Sequence, residues 1–278
     1  MELRHKYDLA ILLNCMHMAR SSFYYYSKRS RITDKYSDIK ILIHNLYHKH
    51  KGRLGYRRLT LLLRQQQGII INHKTVLRLM RILGLKSLIR VKKYKSYKGQ
   101  QGAIAPNLLN RNFKAEKPNQ KWATDVTEFN VSGKKLYLSP IIDLYNQEII
   151  SYEISDRPCF KSVIAMLDKA LKKVNSPKSL LLHSDQGWQY QMKQYQLLLQ
   201  QKGVVQSMSR KGNCLDNAVI ENFFGILKSE LFYLKKYDSI LQLKKEIIEY
   251  IKYYNNDRIK LNLNGMSPIQ YRAHFLDY

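Results

Sequence analysis

Cysteine is scarce in this 278-residue chain: only Cys15, Cys159 and Cys214 occur. Three thiols exclude a disulfide framework, and their spacing offers no zinc site, so a reducing cytoplasm is the expected home. Glycine (12) and proline (6) are too few for a collagen-like or linker-dominated chain. No apolar run approaches the roughly 18 residues of a membrane span, and the opening MELRHKYDLA lacks the apolar stretch of a secretory signal. Acid is the last shortage. Against 48 Lys and Arg stand 21 Asp and Glu, for a net charge of +27. Hydrophobic residues nevertheless make up 45% of the chain, enough for a sizeable core. The length suits one large domain and a smaller one. Such a basic chain points to a polyanion, nucleic acid first. On charge alone, a ribosome-associated or scaffold protein with a basic surface is equally open.

The shortage of acid is local. Residues 1–115 hold 25 Lys and Arg against 4 Asp and Glu, a net of +21, and residues 116–278 carry the remaining +6. Between the two parts, residues 92–118 show no sustained apolar period and carry Gly, Pro, Asn, Gln and Lys, the composition of a basic linker. No internal repeat occurs at solenoid spacing. Residues 1–34 read as an amino-terminal helical arm, with Leu9, Leu12, Leu13 and Met16 at helical spacing before a Ser-Ser-Phe-Tyr stop.

Residues 35–91 read as a helical DNA-binding domain. A helix over about 33–50 precedes a second over about Tyr56–Gln67, with Leu59, Leu62 and Leu63 inward. Gly68 breaks it, Ile69–Ile71 form a short connector, and Asn72 suits the N-cap of a third helix. There Val76, Leu79, Met80 and Leu83 form an apolar stripe, Lys74, Arg78 and Arg81 form a separate cationic face, and Gly84 closes the helix. Two such helices on a tight connector describe a helix-turn-helix whose second helix enters a major groove. A small helical bundle with a solvated basic face is the competing reading. Arg57, Arg58 and Lys74 are the candidate phosphate contacts, and Arg78 and Arg81 the candidate base contacts.

From residue 121 the pattern becomes β-β-β-α-β-α-β-α. KWATDVTEFNV (121–131), 135–146 and 148–155 read as an antiparallel meander, 161–174 as a helix and 179–184 as a short apolar strand. A helix over 191–202, a strand over 204–208, a helix over 217–233 and a long helix over about 239–255 follow. Asp125 interrupts the first strand and Asp185 ends the fourth, although burying a carboxylate is costly without a compensating cation or proton. Glu221 borders the helical seam of Ile220, Phe224 and Leu227. Three acids converging from three elements would form an all-oxygen site for Mg²⁺ or Mn²⁺. Any one of them alone is more simply a capped or solvated turn residue. Asp143 is a weaker acid, Cys214 has no evident partner, and His183 reads as a packed strand residue because such a metal prefers oxygen.

The words around these acids carry a resemblance. Trp122-Ala123-Thr124-Asp125-Val126-Thr127 holds the first, and His183-Ser184-Asp185-Gln186-Gly187 with Tyr190 the second. Ser207-Met208-Ser209, Gly212-Asn213, Asp216-Asn217-Ala218 and Glu221 lead to the third, followed by Phe224, Lys228 and Glu230. Thirty-five residues separate Asp185 from Glu221. Tyr254-Asn255-Asn256-Asp257-Arg258 and Ser267-Pro268 close the pattern, and Gly55-Tyr56-Arg57-Arg58 through Leu85 match its upstream helix-turn-helix. Over roughly residues 35–272 the chain resembles the DDE transposase and retroviral-integrase superfamily. Within it, the chain is similar to the second-reading-frame transposases of insertion sequences of the three family. Two departures stand out: Lys260 replaces an expected histidine, and Trp188 a small polar residue.

The resemblance implies an α/β ribonuclease-H-like catalytic core over 119–235, a mixed five-stranded sheet with flanking helices, and a carboxy-terminal helical segment over 236–278. It implies metal-dependent cleavage and strand transfer of DNA, with Asp125, Asp185 and Glu221 as both catalytic and metal-binding residues for two Mg²⁺ or Mn²⁺ ions. Lys228 lies seven residues after Glu221 and therefore on nearly the same helix face, about 20° away, suited to a phosphate. Asn217 would help there. The implied partners are element-end and target DNA, further copies of the chain, and an upstream reading-frame product as fusion or companion. The implied location is the bacterial cytoplasm, at the nucleoid when bound. A ribonuclease-H-type nuclease without transposition, or an inert regulator occupying element ends, are the alternatives that assays would separate.

Overall fold

A computed structural model of the chain describes residues 5–30, 34–88, 104–174, 177, 179–210 and 213–276. The amino-terminal arm is two helices rather than one, α1 (Leu9–Cys15) and α2 (Arg20–Ser30). The chain breaks at His17, whose φ of 46° lies in the left-handed region. The Ser-Ser-Phe-Tyr sequence expected to stop a helix lies inside α2. Ser is tolerated in a helix interior where its side chain faces solvent, so its turn preference does not decide here.

The helix-turn-helix forms as expected from α3 (Ser37–Lys49), α4 (Tyr56–Gln67) and α5 (His73–Ile82). Gly68 ends α4 with φ 65°, and the Asn72 side chain accepts from the Lys74 N–H at 2.8 Å to start α5. Ile43, Leu46, Leu54, Leu59, Leu62, Leu63, Val76, Leu79 and Met80 form its core. Ile259, from the far end of the chain, completes that core.

The larger unit is a sheet covered on both faces. Its strands are β1 (Lys121–Thr124), β2 (Thr127–Val131), β3 (Lys134–Asp143), β4 (Ile149–Ser155), β5 (Leu181–Ser184) and β6 (Val205–Met208). The expected first strand over 121–131 is therefore two. Both halves pair antiparallel with β3, β1 against residues 141–143 and β2 against residues 134–138. The break falls at Asp125–Val126, where Asp125 Oδ1 accepts from the Val126 N–H at 2.7 Å and takes the backbone out of the ladder. The five-stranded expectation thus becomes six segments at five lateral positions. β4 flanks β3 on its other side, and β5 and β6 extend the sheet in parallel beyond β1.

Alternation along β1 sends Trp122 to one face and Ala123 to the other. Helices α6 (Phe160–Leu171) and α7 (Lys193–Gln201) cover the Trp122 face through Val163, Met166, Leu167, Tyr195 and Leu199. Helices α8 (Ala218–Glu230) and α9 (Ile240–Asn256) cover the Ala123 face through Ile220, Phe223, Leu227, Leu243, Ile247 and Tyr254. The segment from 236 is accordingly part of the core's packing. A last helix, α10 (Pro268–Leu276), returns Arg272 to Asp143 at 2.8 Å. Lys260 is buried there, donating to Gln147 Oε1 at 2.7 Å and to the Tyr254 hydroxyl at 2.5 Å.

Half of the expected linker is not one. Residues 89–103 lie outside the described residues, but from 104 the chain is a strap fastened to the core. Leu109 is buried, and the Leu108 and Leu109 N–H groups donate to Ser207 Oγ at 3.0 and 3.1 Å. Asn107 and Arg111 of the strap also bond Asp216, at 2.9 and 2.8 Å. Among the described residues no helix is long and apolar enough to cross a membrane.

Candidate active site

β1 and β5 run parallel with Lys121 opposite Leu181, Trp122 opposite Leu182 and Ala123 opposite His183. Asp125 and Asp185 each follow the last residue of these neighbouring strands, about 4.8 Å apart, and the Asp185 charge acts directly on the Asp125 carboxyl. Gly187 accommodates the second one: its N–H donates to Asp185 Oδ1 at 2.9 Å. A Cβ at Gly187 would sit 2.6 Å from Gln189 Nε2 and 2.9 Å from Asp185 Oδ1, so a larger residue would have to displace the Gln189 amide and crowd the Asp185 carboxylate.

Glu221 enters from the first turn of α8. That helix is tied to the end of β1 by Asn217, whose Nδ2 donates to the Thr124 carbonyl at 3.2 Å. Asn217 is buried, so the expected DNA contact is instead a tie between two site elements. Electrostatics connects the three acids. Burial pushes the Asp125 carboxyl well above its ordinary value, Asp185 and Glu221 add to the push, and Lys228 opposes it. Burial also raises Asp185, offset by the Gly187 N–H. Tyr190 lies fully buried beside them, its hydroxyl 3.4 Å from Thr124 Oγ1, kept protonated by burial and by both aspartates. The Lys228 ammonium stands 5.2 Å from the Phe129 ring centroid.

Among the described residues no group of three or more His, Cys, Asp or Glu closes around one point that could hold a metal ion. Asp125 nevertheless interacts electrostatically with both Asp185 and Glu221. The donor set is wholly carboxylate oxygen, half-buried, with Asp185 and Glu221 both repelling Asp125 and Lys228 opposing them. That chemistry fits a hard divalent cation and suits neither zinc nor copper. His183 does not join it. Its Nδ1 bonds Ser207 Oγ at 2.8 Å, and burial lowers its pKa to about 4.

Spacing gave no sign of a second carboxylate with structural consequence for the site. Asp216 is fully buried and accepts from Arg210 at 2.9 Å on each oxygen, from Arg111 at 2.8 Å and from Asn107 at 2.9 Å. Arg210, first among these, holds its carboxyl far below the usual range. Asp216 thereby joins the strap, the end of β6 and the approach to Glu221. Its word was visible, but partners 105 and 109 residues away were not.

On the helix-turn-helix, Arg57, Lys74, Arg78 and Arg81 are exposed. Arg58 is not. It turns inward, with Nη2 3.5 Å from the buried Glu230 of α8, because residues 57 and 58 lie about 100° apart on a helix. The expectation of a phosphate contact at Arg58 is corrected accordingly.

A parallel-stranded acid pair, a third acid on a covering helix and a helix-turn-helix ahead of them define an integrase-type core with a DNA-binding arm. The Integrase core domain family matches residues 115–214, a second Integrase core domain family matches 221–276, and the HTH-like domain family matches 35–93. The chain belongs to the insertion-sequence transposases of the IS3 family. It is 56% identical to the InsK protein for insertion sequence element IS150 of Escherichia coli (strain K12), over 98% of this chain and 95% of that one. It is 33% identical to the transposase InsF for insertion sequence IS3A of the same organism, over 96% of both. Among solved structures, the integrase catalytic core domain of HTLV-2 in complex with magnesium aligns at a TM-score of 0.43 and 17% identity, over 56% of this chain and 98% of that one.

Proposed function

We propose that this transposase binds the ends of its element and cuts and joins DNA through Asp125, Asp185 and Glu221. What supports the reading is that Asp125 and Asp185 follow the ends of the parallel neighbours β1 and β5, with Asp185 and Glu221 both raising the Asp125 carboxyl. Asp125 would contribute to two Mg²⁺ or Mn²⁺ sites, Asp185 completing one and Glu221 the other, so that each site needs only a pair of acids. When bound, the ions would supply charge neutralisation and an activated oxygen for in-line displacement at phosphorus.

The chain's own residues do the rest. Gly187 and Val126 N–H groups fix the rotamers of Asp185 and Asp125. Tyr190 and Thr124 close the floor beneath them and exclude water. Lys228, on the same face of α8 as Glu221, holds a phosphate oxygen of the bound strand. Arg57, Lys74, Arg78 and Arg81 of residues 35–91 grip the duplex. Residues 119–235, with 236–276 of the carboxy-terminal segment (236–278) packed upon them, form the unit that reacts. Further copies of the chain on two DNA ends, and an upstream reading-frame product, are the proposed companions, working at the bacterial nucleoid.

Substituting Asp125→Asn, Asp185→Asn or Glu221→Gln should abolish Mg²⁺-dependent cleavage of element-end DNA, a loss of at least about 10³-fold, while binding in a mobility-shift assay persists. Full cleavage by any one of the three would remove that residue from the site. Strand-transfer products from the wild type separate transposition from simple nuclease action.

A further inference from the structure

Glu230, at the last turn of α8, sits at the centre of a buried cluster that the proposed chemistry does not use. Its carboxylate accepts from Arg258 Nε at 3.0 Å, Arg258 Nη2 at 2.8 Å and the Tyr250 hydroxyl at 2.9 Å. Two further arginines reach it from the helix-turn-helix. Arg58 of α4 places Nη2 3.5 Å from Glu230 Oε1. Arg53 donates from Nε to the Glu230 carbonyl oxygen at 3.2 Å, with its guanidinium 5.1 and 4.8 Å from the rings of Tyr250 and Tyr253. Carbonyls in the last turn of a helix lack an internal partner, and the negative end of the helix dipole favours a cation there. Arg53 meets both needs from another part of the chain.

The contact is continuous with packing on either side. Ile259 lies within the helix-turn-helix core. Gly265, at φ +76°, approaches α4 so closely that a Cβ would stand 3.0 Å from Gln65 Nε2 and 3.1 Å from Leu61 Cδ1. Buried ion pairs contribute little net stability compared with apolar packing, and their best-attested use is to fix one register. Here the register is that of α4 against α8. Glu230 and Glu221 lie nine residues apart on one helix, about 14 Å. Arg57, the neighbour of Arg58, faces outward with Lys74, Arg78 and Arg81.

We propose that Arg58, Arg53 and Glu230 form a latch that fixes the DNA-binding helices to the helix carrying Glu221, and so determines which phosphodiester is cut. They are positioning residues, acting through α8 rather than on DNA. The inference rests on the assignment of Glu221 to the reacting site. A flexible tether would let the acids reach several neighbouring bonds at a constant recognised sequence; the latch holds one offset.

The test uses the full chain and an end-labelled duplex bearing the element's own terminal repeat, with cleavage products resolved to single nucleotides. The wild type should cut mainly one bond. Arg58→Met, which removes the helix-turn-helix cation and leaves Glu230 paired with Arg258, should spread the cuts over adjacent bonds. The ratio of main to flanking products should drop about tenfold, with DNA affinity within about threefold of wild type. Arg58→Lys, which keeps the charge, should restore the main cut in part. A merely stabilising role would reduce the amount of product without moving the cut. Unchanged cut positions in Arg58→Met, or complete loss of cleavage with fold and DNA binding intact, overturns the latch. Should Arg58→Met fail to fold, Arg53→Gln decides by the same readout. Glu221→Gln in parallel isolates the underlying assignment: if that variant cleaves normally, the site reading fails rather than the latch.

Discussion

Asp125 is the residue on which the site turns, and its burial has a thermodynamic signature. Unfolded, its carboxyl titrates near 3.8; folded, burial first and then Asp185 and Glu221 hold its proton to a much higher pH. The native state therefore binds more protons across that window, so this residue's contribution to stability falls as pH rises from about 4 towards the folded value. Asp125→Asn should accordingly melt higher than wild type at neutral pH in chelator, by about 2–4 °C for each kcal/mol of relieved repulsion. Added Mg²⁺ should raise the wild type more than the variant. A variant melting below wild type in chelator contradicts this account. At this scale the sequence was informative where chemistry clashed with context: an aspartate inside an apolar strand, another at the end of one, a glutamate on a helical seam. It was misleading where only periodicity was available. Arg57 and Arg58 look equivalent as text, yet one faces solvent and the other a buried carboxylate, because the partner lies 172 positions further along.

Helix α8 brings a core face, a candidate site acid and a buried ion cluster together in 13 residues. Ile220, Phe223 and Leu227 bury one side against the sheet, Glu221 and Lys228 border the acids, and Glu230 meets the arginines. Strand and helix order was readable from period and composition, since each element carries its own apolar stripe. The break between β1 and β2 was not, because it depends on how the Asp125 side chain bonds its neighbour's N–H. The strap was not readable either: its polar composition belongs equally to a tether and to a chain bonded to Ser207 and Asp216. The difference is measurable. Leu109, buried against the Ala123 face, should lower stability by about 2–4 kcal/mol when replaced by Ala. A free linker would tolerate the change, so an unaltered denaturation midpoint would rule the strap out as a packed element.

At the scale of the whole molecule, and on the proposed function, the +27 divides into a DNA grip and the surroundings of an acid site. Binding should weaken steeply with salt, with a log–log slope of about −0.9 for each phosphate neutralised. Arg57→Gln should flatten that slope by about one unit, as should Lys74→Gln. Arg58→Met should leave it unchanged, because its guanidinium is turned to Glu230. Titration of DNA binding between low and moderate salt distinguishes the two kinds of arginine directly.

On the proposed function, the pairing of β1 with β5 also bears on when during synthesis the molecule could act on DNA. Chains emerge from the ribosome amino terminus first. The helix-turn-helix, whose core is complete except for Ile259, precedes every acid of the site. Asp125 emerges without Asp185, whose strand is 60 positions later, and Glu221 follows after that. On the proposed function, a nascent or prematurely ended product would hold an element end before it could break one. Cutting ability would then come only with the later part of the chain, and an interrupted translation would leave a competitor for the ends rather than a stray nuclease.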